Sequence, residues 1–288
     1  MSFGLQPRGS DAISPTAHYI GFVWYRHGLS HPGLVTPQGR ALYHAVRPLN
    51  FGSRSLGGPT LEGFLLARHR AIDGLLDQAI RSGAVSQVIE VAAGLSPRGW
   101  DFARRYGGRI RYIEADLPQM AQGKRERLAA AGLETPQHRV AALDALADEG
   151  ALSLAALART LDPAQGLAIV TEGLLNYFDT EAVLGIWRRF AAMLQRFPHG
   201  AYFSDLHLAS DNRDAPTRAF GKVLGRFVRG RVYLHFDSVA EAQAALRRSG
   251  FDRARLSSPP PQPARGGAID RKGASRVRIV EAATGPKA

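Results

Sequence analysis

The chain has 288 residues, 45% hydrophobic and 22% charged, with a net charge of +12 and no cysteine. That length supports one large globular unit or two smaller ones with a sizeable core. The missing cysteines exclude disulfides and thiolate-ligated zinc, and no run of about 18 apolar residues is present to form a membrane-spanning helix.

Residues 1–11 lack the charged-then-apolar pattern of a secretory signal, and cytoplasm is the expected compartment. The positive charge is mostly arginine, since Lys124, Lys222, Lys272 and Lys287 are the only lysines. It is also local. Residues 213–231 carry six cations and one acid, and residues 251–288 carry eight and three. The first of these segments suits electrostatic steering of an anionic small molecule. Phe220, Phe227 and Tyr233 beside it keep RNA as a less favoured partner class.

In chain order, residues 16–24, 38–46 and 60–82 are expected to be helical. The last of these carries Leu61, Phe64, Leu65, Ile72, Leu75, Leu76 and Ile80 as an apolar stripe at helical spacing. Between them, 47–59 is rich in Gly and Ser and is expected to be a loop. Strands at 88–92, 110–114, 138–142, 166–171 and 201–206 alternate with helices such as 180–196, which implies a mainly parallel sheet. A basic insertion follows at 207–237, with a helix at about 215–229. Beyond it come a helix at 239–249, a strand at 253–257, a Pro-rich linker within 258–274 and a final edge strand at 275–283. The expected organisation is a helical cover over 1–85 and an α/β domain over 86–288.

The chemistry concentrates at the first strand-to-helix turn, Val88-Ile-Glu-Val-Ala-Ala-Gly-Leu-Ser-Pro97. A strand that ends in small residues and opens a helix presents its backbone to a nucleoside cofactor. The turn lacks the Gly-x-Gly-x-x-Gly of a dinucleotide site, and Pro97 removes an N–H that a phosphate would use. S-adenosylmethionine, a nucleoside without phosphates, suits it better. Asp116 lies 22 residues beyond Gly94, the spacing of an acid that binds ribose hydroxyls.

Four stretches together resemble the leucine carboxyl methyltransferase family, including its bacterial members associated with polyketide biosynthesis. They are Ala67-Arg-His-Arg-Ala-Ile-Asp73, Val88–Gly94, Tyr112-Ile-Glu-Ala-Asp-Leu-Pro118 followed by Lys124, and Thr171-Glu-Gly-Leu-Leu-Asn-Tyr-Phe178. The resemblance implies a class I S-adenosylmethionine-dependent fold: a Rossmann-like, seven-stranded, mostly parallel sheet with helices on both faces and an N-terminal helical cover. It also implies that Arg68 pairs with the methionine carboxylate. Asp116, with Glu114 second, would take the ribose. Asp144 would take the adenine amino group, Glu90 or Glu172 the positively charged end, and Ala92 and Gly94 would line the turn. Alanine at 92 departs from the family's glycine and is tolerable only with a negative φ.

Tyr177, Asp205 and His207 are the candidates for contact with the acceptor or for a general base. A carboxylate acceptor needs no base, whereas a phenol does. The expected function is an O-methyltransferase acting on a carboxylate or phenolate of a small molecule. The alternatives are a methyltransferase for a protein C-terminus or an RNA base, and a catalytically silent cofactor-binding protein. His18, Tyr19, Trp24 and Tyr25 are open to two roles, lining an acceptor pocket or packing the cover. His27 and His31 have the spacing of a metal pair, but the glycines and proline around them argue against a helix, and no metal is expected.

Overall fold

The computed structural model describes residues 15–55, 60–212, 233–260 and 271–285. The basic helix expected at about 215–229, with Phe220 and Phe227, lies outside them, as does most of the Pro-rich linker. Three helices come first: α1 (Pro15–Arg26), α2 (Pro37–Ser55) and α3 (Leu61–Arg81). The alternating part follows as β1 (Gln87–Val91), α4 (Arg98–Tyr106), β2 (Arg111–Asp116), α5 (Pro118–Ala130), β3 (His138–Ala142) and α6 (Leu154–Ala158). It continues with β4 (Leu167–Thr171), α7 (Thr180–Leu194), β5 (Gly200–Leu206), α8 (Val239–Arg248), β6 (Arg253–Ser257), α9 (Arg271–Ala274) and β7 (Arg278–Thr284).

The seven strands form one sheet in the order β3-β2-β1-β4-β5-β7-β6. The first five are parallel, and β7 runs antiparallel to both of its neighbours. The expected sheet is therefore present, with one correction: β7 is not an edge. It inserts between β5 and β6, and Ile279, Val280 and Ala282 are buried on its two sides. The alternating burial of β6 is that of the true edge strand.

Strand alternation divides the core in two. Ile89, Val91, Ile113 and Ile169 pack with Trp187, Phe190 and Leu194 of α7 on one face. Val88, Tyr112, Val170 and Phe203 pack with Ile72, Leu76 and Ile80 of α3 and with Phe102 and Tyr106 of α4 on the other. On this second face, two residues further toward the strand C-termini, stand Glu90, Glu114, Glu172 and Asp205. The stripe on α3 changes with them, from Ile80, Leu76 and Ile72 to His69 and Arg68. Chain order turns at β1, where β2 lies on one side and β4 on the other, and open α/β sheets bind ligands at such a switch point.

Two local expectations are corrected. The helix α2 takes in residues 47–55 of the stretch expected to be a loop, with Pro48 inside it, and residues 56–59 lie outside the described residues. Asn50 holds that last stretch in place: its side-chain oxygen accepts from the Leu61 N–H at 3.0 Å, and its amide donates to Tyr19 Oη and Glu62. The second correction is Ala92, whose φ is +56°. Left-handed backbone costs a residue with a Cβ roughly 1–2 kcal/mol. Among the described residues it is the one non-glycine residue with positive φ.

The structure makes two stability predictions. Ala92→Gly removes the left-handed penalty and is expected to raise stability by about 1 kcal/mol, or about 2–4 °C in a melting experiment. An unchanged or lowered midpoint would mean that the turn carries no strain. The second concerns Glu114, which is fully buried, 2.7 Å from Lys124 Nζ and 3.1 Å from His138 Nε2. Burial raises its carboxyl pKa, but Lys124 and His138 outweigh that and bring it down to about 2. A carboxyl with a depressed pKa stabilises the fold above its unfolded value, and the contribution is lost as pH falls through the folded one. Glu114→Gln is expected to cost about 3 kcal/mol near neutral pH. Chemical unfolding should show that deficit shrinking between pH 4.5 and 2.

Candidate functional site

At the C-terminal ends of β1 and β2 the backbone and a carboxylate meet. Asp116 Oδ2 accepts from the Gly94 N–H at 2.7 Å, and Oδ1 accepts from the Leu117 N–H at 2.8 Å. Burial pushes the Asp116 carboxyl up, against the pull of those two N–H groups. Gly94 itself has a φ of +51° and faces Ala17 of α1. Asp144, past the end of β3, is half-buried and accepts from the Leu146 N–H at 2.9 Å.

The ends of β4 and β5 hold a denser cluster. Arg68 Nε donates to Glu172 Oε1 and Arg68 Nη1 to Asp205 Oδ2, each at 3.0 Å. The second oxygen of Asp205 accepts from the Gly173 N–H at 2.7 Å. Gly173 has a φ of +70°, and an added Cβ would lie 2.9 Å from Arg68 Nη2, so only glycine lets the guanidinium rest on this turn. Glu172 Oε2 receives Arg98 Nη2 at 2.6 Å and stands 2.8 Å from His69 Nδ1. Burial opposes its charge, yet His69, Arg98 and Arg68 hold its carboxyl far below the usual glutamate range. The Trp24 ring lies 4.7 Å from that of His69, tilted by 38°, on the α1 side of the cluster.

Two candidates from the sequence are withdrawn as ligand groups. Glu90 is buried and committed to Arg98 Nη1 at 2.5 Å and to the Tyr112 hydroxyl at 2.8 Å. Glu114 is fully inside, shared among Lys124, His138 and the Gly99 N–H. Both are buried, and every oxygen of the two faces an internal partner, the arrangement of internal counter-charges. Lys124 also donates to the Ser96 carbonyl at 2.7 Å, which ties the first turn to β2 through that pair.

The acceptor candidates fall around Arg68. Phe64 lies under its guanidinium at 5.0 Å and beside His207 at 5.1 Å. His207 Nδ1 is 3.0 Å from the Arg276 carbonyl oxygen, so that nitrogen carries the proton and Nε2 keeps a lone pair. Burial pushes the His207 pKa down, and Arg68 adds to this against the opposing pull of Asp205, 3.8 Å from Nε2. Tyr177 sits on a short 3-10 turn and is 40% exposed, so it is not packed under the next helix. In the cover, His18 binds Thr36, Tyr19 joins the apolar cluster between α1, α2 and α3, and Tyr25 lines a groove with Arg40 and His44. His27 pairs with Glu62, and His31 caps the turn at residues 32–34, so the two are spent separately. Among the described residues no group of three or more potential metal ligands is present.

Arg98 was not legible as a site residue. Its signal was only its place directly after Pro97, at the opening of α4.

The chain resembles several solved structures. It overlays a protein described as a methyltransferase from Thermobifida fusca over 99% of this chain and 100% of that one, at 13% identity and a TM-score of 0.64. A DUF574 family protein from Streptomyces avermitilis follows at 17% identity, with 95% and 98% coverage and a TM-score of 0.60. PigF, solved with S-adenosylhomocysteine, matches at 16% identity and a TM-score of 0.50, covering 73% of this chain; the chain spans only 54% of PigF's length. At these identities the likeness is one of fold, shared with class I methyltransferases. No curated protein sequence matches the chain. The model of the leucine carboxyl methyltransferase family matches residues 34–191. That span is more than half of the chain and contains Arg68, the Ala92–Gly94 turn, Asp116 and Glu172, so this protein belongs to the leucine carboxyl methyltransferase family.

Proposed function

We propose that the protein is an S-adenosylmethionine-dependent O-methyltransferase acting on a small molecule. One observation carries the reading: opposite charges, Arg68 and Glu172, stand side by side at the end of β4, beyond a turn whose Asp116 is held by the Gly94 N–H. That set is complementary to an amino-acid zwitterion joined to a ribose. The residues fit the cofactor, whose contribution when bound is a methyl carbon already activated by its sulfonium.

The chain's own groups do the rest. Asp116 offers the lone pairs left free by its two backbone donors to vicinal hydroxyls, and Asp144 stands ready for an exocyclic amine. Arg68 receives a carboxylate and Glu172 an ammonium group. Asp205 braces Arg68 and the Gly173 turn, and its side chain is 1% exposed and paired with the guanidinium, so its part is that of a brace rather than of the base. Burial favours the neutral form of His207, whose Nε2 lone pair equips it to take a proton from a hydroxyl or phenol acceptor. For a carboxylate acceptor that step is unnecessary, and alignment in a desolvated site is the whole task. The exposed Tyr177 forms part of the acceptor side, and the arginine-rich segment at 213–231 favours an anionic acceptor. Among the described residues no helix is long and apolar enough to cross a membrane.

Calorimetric titration tests the cofactor. S-adenosylmethionine and S-adenosylhomocysteine should bind the wild type in the micromolar range, and Asp116→Ala should weaken both at least tenfold. Absence of binding to the wild type would sink the reading. A second test asks for the acceptor class. With a phenolic acceptor, kcat should fall as pH drops through the lowered His207 pKa, below 6.5, and His207→Gln should cost about 100-fold. With a carboxylic acid acceptor the same range should be flat and the variant nearly neutral.

A further inference from the structure

Arg98 has no part in the function just proposed, yet among the described residues its side chain is paired with three carboxylates. Its guanidinium is wholly buried, with a side-chain exposure of 0%. Each nitrogen is used on a different element: Nε on Asp73 of α3 at 2.5 Å, Nη1 on Glu90 of β1 at 2.5 Å, and Nη2 on Glu172 at 2.6 Å. Nη2 also lies 2.9 Å from His69 Nδ1.

Glu172 needs such a partner. It stands one residue past β4, whose register with β5 ends at Val170 opposite Phe203, and the chain then turns at Gly173 with φ +70°. No ladder holds its side chain, so its direction is set by the groups that face it: Arg68 and His69 from α3, and Arg98 from α4. These divide its two oxygens. Arg98 and His69 take Oε2, and Arg68 Nε alone takes Oε1. Oε1 is therefore the oxygen with spare capacity, on the Arg68 side of the carboxylate. A fully buried Arg98 cannot itself reach a ligand.

We propose that Arg98 is the positioning residue for the amino-acid end of the cofactor, locking Oε2 of Glu172 so that Oε1 and Arg68 present a matched pair to the zwitterion. The inference rests on the cofactor reading above. Lysine cannot replace it, because one ammonium group has no planar fork to span carboxylates from three elements.

The test compares two ligands that share the nucleoside but differ at this end: S-adenosylhomocysteine, and 5′-methylthioadenosine, which lacks the amino-acid tail. Titrations and thermal unfolding are run on wild type, on Arg98→Lys, and on Arg98→Met combined with Glu90→Gln. The double variant removes one charge of each sign, so that folding is not lost to an unpaired buried carboxylate alone. Positioning predicts that S-adenosylhomocysteine weakens at least tenfold in both variants, while methylthioadenosine stays within about twofold of wild type. If both ligands weaken together, in step with thermal stability, Arg98 is a core ion pair and nothing more. Unchanged affinity for S-adenosylhomocysteine also overturns the proposal. Failure of the wild type to bind either ligand overturns the cofactor reading itself, a result separate from both.

Discussion

Everything at this site depends on a buried ion network that two arginines share with four carboxylates. Taking charges out of water costs several kcal/mol per ion, and only dense pairing offsets it. Here the pairing is dense. Arg98 reaches Asp73, Glu90 and Glu172, while Arg68 reaches Glu172 and Asp205. The network clamps α3 against the C-terminal ends of β1, β4 and β5, and it does so where the apolar stripe of α3 has run out. Below it Ile72, Leu76 and Ile80 seal the helix to the sheet by burial. Above it the same helix offers charge. One continuous helix thus anchors the fold with its C-terminal half and furnishes the site with its N-terminal half.

The acids at the strand ends look alike in sequence and differ in fate because of what each one faces. Glu90 and Glu114 stand opposite each other in register on β1 and β2, and two carboxylates that close must be separately neutralised. Arg98 and Tyr112 take the first; Lys124 and His138 take the second. Burial keeps the Glu90 pKa high despite Arg98, whereas the Lys124 partnership depresses that of Glu114. Asp116, two residues beyond Glu114 and on the same face, has only backbone donors and retains lone pairs. That difference of one strand pleat separates a buried counter-charge from the acid proposed to meet the ribose.

The first turn carries a conformational cost at a position proposed to face the cofactor. Ala92 holds a left-handed conformation that glycine would adopt freely. Strain of this kind persists only where surroundings over-determine the backbone. The surroundings are identifiable: Asp116 fixes Gly94 from the β2 side, and Lys124 fixes the Ser96 carbonyl from α5. The turn is held at both ends by side chains of neighbouring elements, so its conformation does not depend on the residue at 92.

Much of this architecture was written in local pattern. The strand positions, the helix α3, and the pairing of a small-residue turn with Asp116 follow from periodicity and spacing, because each is carried by short-range pattern in the chain. The helical course of 47–55 did not, because Asn50 stabilises it through Tyr19, Leu61 and Glu62 on other helices. Nor did the interior place of β7, which is decided by its two strand partners rather than by its own composition. The site divides the same way. Sequence by itself determined which residue types stand near the strand ends: an arginine on α3, acids within β1, β2 and β5 and just past β4, and a histidine after β5. Tertiary structure alone decided which of those charges neutralise each other and which keep a free edge. Electrostatic partnership is a matter of distance in space and of burial, and Arg68 meets Asp205 across 137 positions of chain.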